Sequence, residues 1–283
     1  MVATDRRPAM NKVTIVIPCY NDGYFLLEAL ASVQECDPAL YEVIIVNDGS
    51  QDPATLAILQ QLETEGYAIH HQPNRGLANA RNTGIHLART PYVLPLDSDN
   101  KIRPCYLTES IPILEKNPQV AVVYSDVHYF GDQDLIWSLP DFDLCHLLVR
   151  NYIDACAVFR KTVWQMVGGY DEQMPDRLGY EDWEFWLRVA KSGAQFYHLP
   201  LVGFDYRTRS DSMVQACRLP HNHRRLVQYI VTKHADLYHH YLAQVIADKE
   251  HLWFSQVVEL QAQVKQLQIE LQQYKTKEKL AEK

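Results

Sequence analysis

Tyr92-Val93-Leu94-Pro95-Leu96-Asp97-Ser98-Asp99 is an apolar run of strand length that ends in two carboxylates set one residue apart. Such a run, bounded by polar residues, reads as a buried strand, which puts the acidic pair where the chain leaves a sheet. In open α/β sheets ligands gather outside the carboxyl ends of the strands. Two hard oxygen donors at that place suit Mg²⁺ or Mn²⁺ bound to a phosphate-bearing substrate. The plainer reading of the triplet is an acidic turn ending at Asn100, and only the surrounding chain can decide between the two.

Working outward, Val13-Thr14-Ile15-Val16-Ile17 is a β-branched run closed by Pro18, and Phe25, Leu26, Leu30 and Val33 then follow at helical spacing over 24–35. Val43-Ile44-Ile45-Val46 is a second buried strand, followed by Asp52-Pro53, an N-cap acid with proline at the first helical position. A short strand over 68–71 and a helix over 78–88 lead into the strand at 92–96. Strands alternating with helices at this interval predict an α/β fold with a doubly wound, mostly parallel sheet. Beyond Asp99 the pattern predicts helices at 104–116, 161–167 and 182–191, strands at 120–124 and 153–159, and a long loop over 132–143. Loops of that size are usually functional.

The division expected is a tail over 1–12, a main domain over 13–215 and a helical extension over 216–283. In the extension Trp253, Val257, Leu260, Val264, Leu267, Leu271 and Tyr274 follow alternating steps of four and three residues, a heptad seam over 253–274. Such a seam can pair with a second copy in a short coiled coil, giving a homodimer, or lie back on the main domain. Both readings stand at the level of sequence.

The net charge of −8 over 283 residues argues against a duplex nucleic-acid partner, which needs a basic surface. No apolar stretch is long enough to cross a bilayer, and the polar start carries Arg6-Arg7 without a following apolar run. The six cysteines show no C-x-x-C spacing and read as reduced thiols of a cytoplasmic protein. Peripheral contact with the inner face of a membrane, through Trp, Tyr and basic residues, is left open.

Six ordered segments carry a resemblance to a known family: Val13 to Asn21, Val46-Asn47-Asp48-Gly49-Ser50, Asn74 to Gly84, Leu96-Asp97-Ser98-Asp99, Gly168-Gly169-Tyr170-Asp171-Glu172 and Glu181-Asp182-Trp183-Glu184-Phe185-Trp186-Leu187-Arg188. Over roughly 13–213 the chain resembles the family 2 glycosyltransferases, which have the GT-A fold and invert the anomeric carbon. The resemblance implies a nucleotide-sugar donor, a UDP-sugar first among them, and a saccharide, lipid-linked or protein acceptor. It implies that Pro18 and Tyr20 hold the nucleobase, that Asp48 reads the base's ring N–H, and that Asp97 contacts the ribose and a metal-bound water. Asp99 would ligate Mn²⁺ or Mg²⁺ directly. Asp182 would be the general base, with Glu181 beside it. Arg81, one turn into its helix, could neutralise the diphosphate. A histidine common in the family is replaced by Arg209, so Arg207 or Arg209 would hold the diphosphate as a cation. The competing reading is an inactive nucleotide-sugar-binding scaffold that oligomerises through its C-terminal helix.

Overall fold

The computed structural model describes residues 11–281, with side chains to residue 274. Most of the expected N-terminal tail and the last residues of the extension lie outside the described residues. Three β-α units open the chain: β1 (Val13–Cys19), α1 (Gly23–Gln34), β2 (Tyr41–Asp48), α2 (Pro53–Thr64), β3 (Ala68–Gln72) and α3 (Leu77–Leu87). Asp52 caps α2 as its sequence demands, accepting a 2.7 Å hydrogen bond from the Thr55 N–H. The chain then runs through β4 (Tyr92–Pro95), β5 (Lys101–Ile102), α4 (Pro104–Lys116), β6 (Val120–Gly131), β7 (Leu135–Trp137) and α5 (Leu144–Val149). It closes with β8 (Val158–Arg160), α6 (Lys161–Val167), α7 (Glu181–Lys191), β9 (Gln195–Thr208), α8 (Met213–Arg218), α9 (Pro220–Lys233), α10 (Ala235–His240) and α11 (Leu242–Ala281).

Among the described residues the strands form one mixed sheet in the order β3-β2-β1-β4-β8-β6-β9-β5, with β7 paired to β6. The pairs β3·β2, β2·β1, β1·β4 and β6·β9 are parallel, so the doubly wound expectation holds for the first half. Strands β5, β7 and β8 run antiparallel to their neighbours. Chain order reverses between β1 and β4, which opens a crevice at their carboxyl ends. Pro95 is tolerated within the sheet because β8 pairs only with Tyr92 and Val93 and asks for no N–H further along β4.

Period-two burial divides the core. Val13, Ile15 and Ile17 face α1 and α4 through Leu26, Leu30, Leu107 and Ile111, whereas Val16 faces the other side with Ile85, Phe185 and Trp186. Gly84 lets α3 close on the sheet, for a Cβ there would stand 2.2 Å from Val16 Cγ1.

Three expectations are corrected. The segment 195–208, left without a strand in the sequence reading, is β9, the partner of β6 along most of its length. The strand expected at 153–159 shortens to β8, because 151–157 bends into a cleft. The loop over 132–143 contains β7, which folds back on β6 as a hairpin. The helical extension is continuous with the second core, burying Leu226, Ile230, Tyr238 and Val245 in it. Beyond Leu252 the 40-residue α11 leaves the body: Trp253, Leu260, Leu267 and Tyr274 are each about 60 % exposed. The seam therefore does not lie back on the main domain. No helix among the described residues is long and apolar enough to cross a membrane.

Candidate active site

The crevice between β1 and β4 is a cleft of about 400 Å³ lined by Pro18, Tyr20, Asp48, Asp97, Asp99 and Arg209, among others. Tyr20, half exposed, stands on the turn after β1. That turn is tied down by Asn21, held at φ 59°, whose side-chain oxygen accepts from the backbone N–H of Gln51 and Asp52. Asp48 is buried and accepts from the backbone N–H of Arg75 at 2.9 Å and of Gly76 at 2.8 Å, and from Gln72 Nε2. A carboxylate offers about four lone pairs, so one remains for a ligand N–H. Gly76, at φ 92°, makes the backbone approach possible.

Asp99 is pushed up to about 6 by burial and by the charges of Asp97 and Asp22, against the pull of Arg209. Arg209 Nε stands 3.2 Å from Asp99 Oδ2, and its Nη2 lies 3.3 Å from Asp22 Oδ2. This negative excess on one wall is the arrangement that a divalent cation would relieve. Among the described residues no three His, Cys, Asp or Glu side chains converge as a ready-made metal cage. Asp99 and Asp97 are the carboxylates that would hold such an ion, with the rest of its shell coming from a ligand and water. The Nδ1 of His223, in the second cleft, shares a 3.0 Å hydrogen bond with the Tyr180 hydroxyl.

Two arginines are placed otherwise than the sequence reading had them. Arg81 is only 2 % exposed; it donates to Asp97 Oδ1 through Nη2 and to Glu181 Oε1 through Nη1. Its two terminal nitrogens are thus each paired with a carboxylate, while its buried Nε has no partner among the described residues. Arg207 donates to Glu28 Oε2 at 2.8 Å and to the Asp99 carbonyl at 3.0 Å, with its guanidinium over Phe25 and Phe130. It buttresses the acidic turn from behind. Arg209 lines the cleft, as does Arg177.

Across Asp97 a second cleft of about 630 Å³ opens, with Asp154, Glu181 and Asp182 on its floor. Glu181 and Asp182 begin α7, and the residue before them, Tyr180, is held at φ 72°. Asp176 and Arg177 are also at positive φ, a concentration of strained backbone in the turn carrying these acids. Asp182 accepts from Asn151 Nδ2 at 2.8 Å and from the Trp183 N–H at 2.8 Å. Burial, then the charges of Glu181 and Asp154, push its carboxyl up to about 8. Asp154, which sequence reasoning missed, is raised to about 7 by burial and by Asp97. Its signal was present: an acid inside the apolar run Tyr152 to Phe159 is a buried carboxyl that needs a reason.

A model of the family described as "Glycosyl transferase family 2" matches residues 14–168, more than half of the chain. The chain belongs to glycosyl transferase family 2. Curated relatives include the succinoglycan biosynthesis protein ExoO of Rhizobium meliloti, 29% identical over 76% of this chain and 66% of that protein. The chondroitin synthase of Pasteurella multocida is 26% identical over 71% of this chain and 21% of that one. The chain thus spans from about a fifth to just under two thirds of the length of these family members. Among solved structures, S. aureus TarS in complex with UDP-GlcNAc superposes with a TM-score of 0.64 at 17% identity, covering 78% of this chain and 66% of that one. The fold is that of the GT-A members of family 2.

Proposed function

We propose that the chain transfers a sugar from a nucleoside-diphosphate sugar, a UDP-sugar first, to an acceptor hydroxyl with inversion at the anomeric carbon. The observation that carries this reading is the junction of the two clefts. Asp97 and Tyr206 line both, so a donor at the switch point of the sheet would present its sugar to the cavity floored by Asp182. The co-structure of the neighbouring TarS with UDP-GlcNAc supports the choice of donor class.

Tyr20 and Pro18 would border the base, and Asp48 would use its remaining lone pair on the ring N–H. Mn²⁺ or Mg²⁺ at Asp99, with Asp97 through water, would supply neutralisation of the departing diphosphate. Arg209 would contribute a second positive charge on the same wall. Asp182, fixed by Asn151, would take the acceptor's hydroxyl proton, a role typically worth ~10²- to 10⁴-fold in rate. Its raised pKa suits a base working near neutral pH. Glu181 would act at one remove, through Arg81. An inactive scaffold has no need of the costly concentration of carboxylates at Asp154, Glu181 and Asp182, which favours turnover. The exposed α11 seam would pair with a second copy of the chain.

Thermal unfolding with UDP, dTDP and GDP in the presence of Mn²⁺ tests the reading. A cognate nucleotide at 100 times its dissociation constant adds about 2.7 kcal/mol of stability. A protein that none of the three stabilises does not bind a nucleotide sugar of these classes.

A further inference from the structure

The second cleft changes the sign of its charge from floor to mouth. Its floor is acidic through Asp154, Glu181 and Asp182, whereas its upper walls carry Arg150, Arg218 and Lys249. None of these three cations has a carboxylate within ion-pair distance among the described residues, in a chain of net charge −8. Arg150 bonds only the neutral His146 ring, at 3.3 Å, and lies over Trp137. The fields of Arg218 and Arg150 both bear on the hydroxyl of Tyr129 inside the cleft, and that of Lys249 bears on His223. They come from three separate segments, the residue that ends α5, then α8 and α11, and line one cleft. Trp137, Tyr152 and Trp183 also line this cleft, Tyr152 and Trp183 almost wholly buried and Trp137 packed against Tyr129 and Arg150.

We infer that the acceptor is a saccharide bearing an anionic group, phosphate or carboxylate, which Arg150, Arg218 and Lys249 hold at the mouth while a neutral hydroxyl reaches Asp182. The inference rests on the glycosyltransferase reading and deepens it. The unpaired cations attract the anion to the mouth and no cation free of a carboxylate competes for it at the floor, so the two ends of the cleft fix one orientation of the acceptor. Arginine suits the planar oxygens of either group through its paired donors, while lysine adds a point charge.

The test uses the full chain, saturated with UDP and Mn²⁺ so that the first cleft is occupied. It is exposed to an array of matched oligosaccharides on common backbones in neutral, uronate and phosphorylated forms. Retention should be confined to anionic members and should weaken steeply between 50 and 500 mM NaCl. The double variant Arg218→Gln/Lys249→Gln should lose at least about tenfold of that retention, with its affinity for UDP unchanged as proof of folding. Preference for the phosphorylated or the uronate arm identifies the group. Equal retention of neutral and anionic members, anionic retention indifferent to the double variant, or no retention by a chain that binds UDP would each overturn the inference. Failure to bind UDP at all would instead remove the donor reading beneath it.

Discussion

Replacing Asp182 by Asn should make the protein more stable while it abolishes transfer. Burial beside Glu181 and Asp154 raises the Asp182 carboxyl from 3.8 to about 8. An acid whose folded pKa lies above its unfolded one binds its proton more tightly in the folded state, so its presence lowers stability progressively as pH rises between the two values. At pH 7 the wild type has crossed roughly three pH units of that window, or about 4 kcal/mol at 1.36 kcal/mol per unit. Asn cannot ionise and escapes this cost. It retains the hydrogen bond from the Trp183 N–H, but the Asn151 amide must turn over and give up its 3.3 Å bond from the Ile153 N–H. That loss is worth about 1 kcal/mol. The net gain expected is about 3 kcal/mol at pH 7, crossing zero at about pH 4.5 and becoming a loss of about 1 kcal/mol at lower pH, where both side chains are neutral. Urea unfolding of both proteins at pH 4.5, 6 and 7.5 measures it. A variant no more stable than wild type at pH 7.5, or a gain that does not grow with pH, would refute the electrostatic account of this site.

The same carboxyl must be ionised to accept a proton, so kcat/KM for transfer should climb about tenfold per pH unit up to about 8 and then level, as a pH–rate profile would show. Asp99→Ala should weaken Mn²⁺-dependent UDP binding by at least about tenfold in calorimetry; full metal-dependent affinity in the variant would put the ion elsewhere. Arg81→Gln strands Asp97 and Glu181 around a buried gap and should cost about 3–5 kcal/mol in thermal unfolding, and a loss below 1 kcal/mol would mean that the two carboxylates do not depend on it. Ending the chain after Gln256 removes most of the exposed seam but keeps Val245 and Leu252 in the core. Light scattering should then show a dimer becoming a monomer that still binds UDP.

What the sequence disclosed depended on how local its signals were. The strands β1, β2 and β4 are built on short, mostly apolar runs, and Asp52-Pro53 or Glu181-Asp182 mark helix starts within a few residues, so the first half of the sheet and both acidic motifs were legible. Strand β9 was not, because Pro200 and Gly203 break its alternation and its register against β6 shifts near Asp126. There the burial of polar residues is compensated across strands, as when His198 Nε2 meets Asp126 Oδ1 at 2.8 Å, and no single segment shows it. Arg81 illustrates the same limit within the site. Its place near Asp97 follows from chain order, but its second partner lies 100 residues away, and only the fold reveals that both terminal nitrogens are paired with carboxylates. Asp154 hid for the opposite reason, being read as one more member of a strand.

The hydrogen that Gly84 carries in place of a side chain sets the height of α3 above β1 and β2, since any Cβ would press on Val16 and on Val46 Cγ2, 3.2 Å away. Arg81 lies one turn earlier on that helix, so the depth of this groove is also the reach of the guanidinium. A helix lifted by one methyl would carry the positive charge off its two carboxylates, Asp97 on the wall common to both clefts and Glu181 in the second. An uncharged contact against the sheet thereby acts as the spacer that keeps the charges of the two clefts in register.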